Sequence, residues 1–292
     1  MEDWASLLFL VLCWGSTFAL TKVALESIPP LWIVALRLSI GASVVVVILF
    51  MRGENLPRAI GIWKWLVVTG AFSVLPFFFI SWGTQHVETS LSAIIFGVGP
   101  LMTIAMAHFV IPGERLTISK VCGFTTGFLG LIVLFGPSAL GDISADSLAL
   151  LGQVAMVAAA AGYSIQGICG KLMPDISLYQ KSAGTFLCAA AIAVPLAVIL
   201  EPQFPFDATL RSLTATATMG VFATALAGTV MFFLIRSAGP TFLSLAHYLI
   251  PLYALAIGII LLGEKTSLQE LLALGLIVSG IALSEWKPSA GR

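Results

Sequence analysis

The stretch LSAIIFGVGPLMTIAMAHFVIPGERLT, Leu91 to Thr117, returns about 150 residues later as FLSLAHYLIPLYALAIGIILLGEKTS, Phe242 to Ser267. Each copy runs an apolar helix through a central proline, Pro100 or Pro251, and stops at Gly-Glu-basic, Gly113-Glu114-Arg115 or Gly263-Glu264-Lys265. A repeat of this kind in an apolar chain predicts two halves folded alike. Proline-interrupted helices at matching positions then point to a binding site near the midplane.

Composition supplies the solvent. Apolar residues make up 59% of the 292 and charged ones 10%, with a mean hydropathy of +1.05, so a water-facing surface cannot be assembled from them. Blocks of roughly 20 residues, the length that crosses about 30 Å of hydrocarbon, divide the chain into ten segments. They run over 4–25, 31–51, 62–84, 88–111, 117–136, 147–171, 179–200, 211–235, 239–262 and 267–285. The expected fold is an all-α membrane protein with ten transmembrane helices, a first five-helix repeat over 1–137, a connecting loop over 138–146 and a second repeat over 147–292. Glu2 and Asp3 stand where a signal peptide would be basic, so the first segment is expected to persist as a helix. The four cysteines lie in apolar segments without a CxxC pair and read as small packing residues.

Charge sets the expected orientation. With the N-terminus inside, Arg52, Arg58, Lys64, Arg115, Lys120, Lys171, Lys181, Arg236, Lys287 and Arg292 face the cytoplasm, against Lys22, Arg211 and Lys265 outside. Both termini are therefore predicted to be cytoplasmic. Five helices per repeat is an odd number, so the second copy enters from the opposite side and the halves are inverted. Such halves exchange outward-open and inward-open shapes around one site.

Trp14-Gly15-Ser16-Thr17 places an indole, a glycine and two hydroxyls in the middle of the first segment. This reads either as a packed contact or as pocket lining, since an indole N–H in hydrocarbon needs a partner. The run Trp14-Gly15-Ser16-Thr17-Phe18, the run Ala35-Leu36-Arg37-Leu38 and the twofold proline/Gly-Glu-basic pattern resemble the EamA-type transporters of the drug/metabolite transporter superfamily, most nearly its aromatic amino acid exporters. The resemblance implies a bacterial inner-membrane protein exporting amino acids and related metabolites, with no cofactor and no nucleic-acid partner. It also implies a central cavity walled by segments 1, 3, 4, 6, 8 and 9. Carried onto this sequence, the wall candidates are Trp14, Thr17, Phe78, Phe79 beside Pro76, Ser92, Phe96, Pro100, Tyr163, Gln166, Thr229, Phe232, Phe233, His247, Tyr248 and Pro251. For each phenylalanine the competing reading is a ring facing lipid or a neighbouring helix.

Pro251 removes a backbone donor, leaving a carbonyl near Leu245 or His247 for an ammonium group, a water or Tyr248. No acidic residue falls at the centre of a segment, so His247 is the available proton carrier and facilitated export is the simpler expectation. Arg37 is expected to snorkel to the interface, with an inter-helix clamp or contact with a substrate carboxylate as alternatives. Gly123, Gly127, Gly130, Gly275 and Gly280 allow close helix approach and read as packing within a bundle expected to be monomeric, with dimerisation as the alternative. A sugar-phosphate carrier wants two or more basic residues in the cavity, and a proton-coupled drug exporter wants a buried carboxylate. An enzyme is disfavoured because no HExxH or GxSxG motif is present.

Overall fold

A computed structural model describes residues 1–83, 86–87, 94–136, 140, 147–262 and 267–285. Within them regular structure is helical, as lipid requires of a chain that must satisfy each backbone N–H and C=O internally. The first repeat provides α1 (Glu2–Ala24), α2 (Pro30–Met51), α3 (Ile60–Gly83), α4 (Gly99–Val110) and α5 (Ile118–Phe135). The second provides α6 (Ser147–Leu172), α7 (Leu178–Leu200), a composite of α8 (Leu210–Thr218), a π segment (Met219–Leu226) and α9 (Ala227–Ser237), then α10 (Gly239–Ser244), α11 (Ala246–Leu262) and α12 (Leu268–Ser284).

Side-chain caps fix several helix starts. Thr117 accepts the Lys120 N–H and Thr209 that of Ser212, while Ser177 with Gln180 and Ser267 with Glu270 form reciprocal capping boxes. Pro30 opens α2, where its missing N–H costs no hydrogen bond. Gly113 and Gly239 turn the chain between helices at φ of +90° and +89°, where a side chain would be strained.

Among the described residues seven helices are long and apolar enough to cross a membrane, and Ile94–Val110 and Leu268–Ser284 are shorter apolar ones. Leu8, Leu12, Val47, Val67, Leu129, Leu151, Val154, Val198, Leu271 and Val278 point outward on different helices. An apolar jacket of that extent is stable against hydrocarbon rather than water.

Helix contacts pair up under exchange of the two halves. α5 packs on α12 and α2 on α7, each helix meeting its own counterpart. α3 lies against α6 as the α8–π–α9 composite lies against α1, α4 meets α6 as α11 meets α1, and α3 meets α7 as the composite meets α2. The α5–α12 seam is closest. A Cβ on Gly123 would stand 2.4 Å from the Ser284 nitrogen, one on Gly280 2.6 Å from the Gly123 oxygen, and one on Gly130 2.6 Å from Ile277 Cγ1. These glycines pack within the bundle, as expected from sequence; Gly275 has no neighbour within 4 Å of a would-be Cβ.

Candidate functional site

The three phenylalanines after Pro76 occupy successive helical positions and so point in different directions. Pro76 itself packs on Gly162 of α6, where an added Cβ would lie 2.7 Å from the proline Cγ. That contact sets the register of α3 on α6 and places Phe77 against Tyr163, centroids 6.0 Å apart and edge to face. Tyr163 in turn meets Phe96 at 5.7 Å, and Phe96 meets His247 at 4.8 Å. A string of rings thus runs from α3 through α6 and the segment before α4 to α11, joining both halves, with each ring half-buried. His247 Nδ1 is 2.9 Å from the Ser244 carbonyl, and Gly99 lets the imidazole lie 3.6 Å from its would-be Cβ.

Arg37 stands at the α3 end of this string. Its side chain does not snorkel: the residue is 6% exposed, its Nε donates to Thr224 Oγ1 at 3.3 Å and its guanidinium carbon sits 4.1 Å from the Phe77 centroid. The reason is packing. Gly41, one turn further along α2, admits Thr224 of the π segment to 2.6 Å from its would-be Cβ, and Gly220 lies against Ile40, so α2 and the π segment close over the arginine.

Trp14 lies on the other flank of the π segment. Its indole N–H, whose need for a partner the sequence exposed, donates to the Ala223 carbonyl at 3.1 Å. Thr17 donates back to the Trp14 carbonyl, and Ser16 Oγ lies 3.0 Å from the Tyr253 hydroxyl.

Other expected wall residues are placed apart from the string. Tyr248 is 1% exposed; its hydroxyl donates to the Phe124 carbonyl at 2.8 Å and its ring covers Gly127, so it faces α5. Phe232 is as deeply buried, against Gly170 of α6. Gln166 donates to Ser73 and ties α6 to α3. Pro100 is buried at the start of α4 beside Gly99, whose carbonyl accepts from Thr103 and Ser164. Phe78 and Phe79 form a half-buried pair 5.8 Å apart, and Thr229, Phe233 and Pro251 are half-buried on α9 and α11. Ser92 and the Gly263-Glu264-Lys265 copy lie outside the described residues. Phe77 and Tyr253, the residues that make the contacts, were missed. The only sequence cue to Phe77 was the run of three phenylalanines, which does not select among them.

Charged groups gather at helix ends, in the pairs Arg52–Glu54, Lys120–Glu114, Arg211–Glu26 and Arg236–Asp175. Among the described residues no group of three His, Cys, Asp or Glu is placed to hold a metal.

An apolar-jacketed helical bundle of two matching halves, meeting at an aromatic and weakly charged centre, has the makings of a small-molecule membrane transporter. The model of the EamA-like transporter family matches the chain twice, over residues 4–136 and 150–286, and the chain belongs to that family. Relatives agree on transport. It is 25% identical to the uncharacterized transporter YoaV of Bacillus subtilis, over 94% of this chain and 93% of that one. It is 29% identical to an S-adenosylmethionine/S-adenosylhomocysteine transporter of Chlamydia trachomatis, over 92% of this chain and 85% of that one. Escherichia coli YedA, an uncharacterized inner membrane transporter, is 24% identical over 95% and 89%. One crystal structure superposes with a TM-score of 0.80 at 22% identity, covering 97% of this chain and 96% of that one, and shows the fold.

Proposed function

We propose that this transporter exports amino acids, with apolar and aromatic side chains preferred, across a bacterial inner membrane by alternating access and without an obligatory ion. Ten helices cross the bilayer in two inverted sets over 1–137 and 147–292, with both termini cytoplasmic. The odd number of helices per copy and the ten-to-three excess of basic residues support that arrangement.

The observation that carries the substrate class is the ring string Phe77–Tyr163–Phe96–His247, which offers π faces and edges to an apolar side chain. A polyanion such as a sugar phosphate wants several cations, whereas Arg37 is the one basic residue at this centre among the described residues. The site includes Trp14, Thr17, Phe96, Tyr163, Thr229, Phe233 and His247, with Phe78, Phe79, Ser92 and Pro251 at its margin. Pro100, Gln166, Phe232 and Tyr248, buried in helix contacts, serve packing in this reading instead of lining the site.

The chlamydial relative motivates a second reading, an amino-acid-bearing nucleoside whose adenine stacks on the rings and whose sulfonium lies over them. Proteoliposomes holding the purified protein separate the readings when loaded in turn with labelled phenylalanine, threonine, glutamate and S-adenosylmethionine, with and without a pH gradient. Phenylalanine flux independent of the gradient is expected. Flux that vanishes without a gradient overturns uniport, and flux of S-adenosylmethionine alone replaces the substrate.

A further inference from the structure

Among the described residues Arg37 is a cation without a carboxylate. It lies on the order of 10 Å along α2 from the helix start at 1.5 Å per residue, and among the described residues no ion pair includes it. Its one hydrogen bond there is from Nε to Thr224, with a ring on one side, while a guanidinium carries five N–H donors in a planar fork. Taking such a group out of water with so few partners is costly, and a cation kept at membrane depth is a mark of a ligand path.

We propose that Arg37, oriented by Thr224, receives the α-carboxylate of the transported amino acid; this rests on the amino-acid reading above. The Nε bond to Thr224 turns the two terminal NH2 groups into a fork that matches a carboxylate's two oxygens. Thr224 is held by its methyl group in the hollow left by Gly41, so the fork has a fixed position. A carboxylate bound there leaves the rest of the molecule alongside Phe77, and from Phe77 the rings of Tyr163 and Phe96 continue toward His247. The side chain stacks along those rings, and the ammonium faces ring π clouds rather than a carboxylate. Headgroup and side chain are thereby read by different residues.

Titration calorimetry on the full-length protein in nanodiscs tests this with L-phenylalanine and L-phenylalaninamide, whose carboxylate is replaced by a neutral amide of similar shape. The wild type is expected to bind phenylalanine roughly tenfold or more tightly than the amide, the range of a charge-assisted pair. Arg37→Gln is expected to lose that preference by weakening phenylalanine while holding the amide within about twofold. Arg37→Lys keeps charge without the fork and should retain part of the preference. Thr224→Val preserves the packing on Gly41 and should weaken phenylalanine several-fold more than the amide. A preference unchanged in Arg37→Gln overturns the assignment, as does an equal loss of both ligands in a folded Arg37→Gln. Should that variant fail to fold, equal effects on both ligands in Thr224→Val and Arg37→Lys overturn it instead. A wild type that binds neither ligand overturns the amino-acid reading itself.

Discussion

Gly15 and Tyr253 fix how α1 meets α11. The tyrosine ring occupies the place of a Cβ on Gly15, 2.5 Å from Cδ1, and its hydroxyl reaches Ser16. Gly15→Ala therefore has to displace a ring, and we expect a loss of about 1–3 kcal/mol, read as a lower melting temperature, together with reduced phenylalanine flux. Tyr253→Phe keeps the ring and drops one hydrogen bond, so its cost should be about 1 kcal/mol or less. A Gly15→Ala protein as stable as wild type would contradict the packing. Trp14-Gly15-Ser16-Thr17 was conspicuous in the sequence because indole and hydroxyls in hydrocarbon demand partners. Thr17 and Ser16 find local carbonyls, but the distant partners, Ala223 for Trp14 and Tyr253 for Ser16, lie more than 200 residues away and carry no mark of the pairing. Phe77 was hidden differently. The packing of α3 on α6, through Pro76 on Gly162 and Gln166 on Ser73, decides which of three adjacent rings turns toward Tyr163.

Helix identity was far easier to read than helix detail. Apolar block length located most of the described helices to within a few residues, because lipid leaves the backbone little alternative; the exception is α4, which starts at Gly99 where the expected segment began at 88, residues 88–93 lying outside the described ones. The π segment Met219–Leu226 escaped, since its sequence is apolar like its flanks and carries no local mark of the widened turn. The glycine seam was legible and yields a paired test. Ala substitution favours a helix by about 1 kcal/mol where space permits. At Gly123 the new methyl meets the backbone of α12, which cannot swing aside, so Gly123→Ala should lower the melting temperature; Gly275→Ala meets nothing within 4 Å and should leave it unchanged or raise it. A second element-level test concerns Glu201 at the end of α7, whose carboxylate accepts the Leu31 N–H at 3.0 Å and whose carbonyl accepts the Trp32 indole at 2.8 Å. Burial raises the carboxyl above its usual range despite the donors from α2. The folded protein thus holds this proton more tightly than the unfolded one, so stability from this group is full below the unfolded value of about 4.3 and declines as pH rises to the raised folded value. Melting temperatures of wild type minus Glu201→Gln should fall across that window and level above it. A difference that rises with pH would reverse the sign.

At the scale of the whole molecule, the matched helix contacts give each half the same set of neighbours in the other, so a rearrangement of one half has a counterpart in its twin. The end of the bundle that carries the N-terminus is closed by contacts between elements of different repeats. Ser237 donates to Asp3 at 2.6 Å, Trp4 meets Phe242 edge to face at 4.9 Å, and Thr241 donates to Glu114, which also pairs with Lys120 at 3.1 Å. Gly239 is part of that closure, since a Cβ there would lie 2.6 Å from Glu114 Oε1. Apart from the Trp4–Phe242 ring contact these are exposed or half-buried polar contacts, each weak enough to exchange with water during a transport cycle. If the halves alternate, holding this end shut stops turnover while leaving the bound state intact. A protein freed of its native cysteines and carrying Asp3→Cys with Ser237→Cys should transport when reduced, lose most phenylalanine flux on oxidation and recover it with dithiothreitol, while calorimetry still detects binding in the oxidised form. Undiminished flux with the cross-link verified by mass spectrometry would mean that this end need not open, and the alternating mechanism would have to be abandoned.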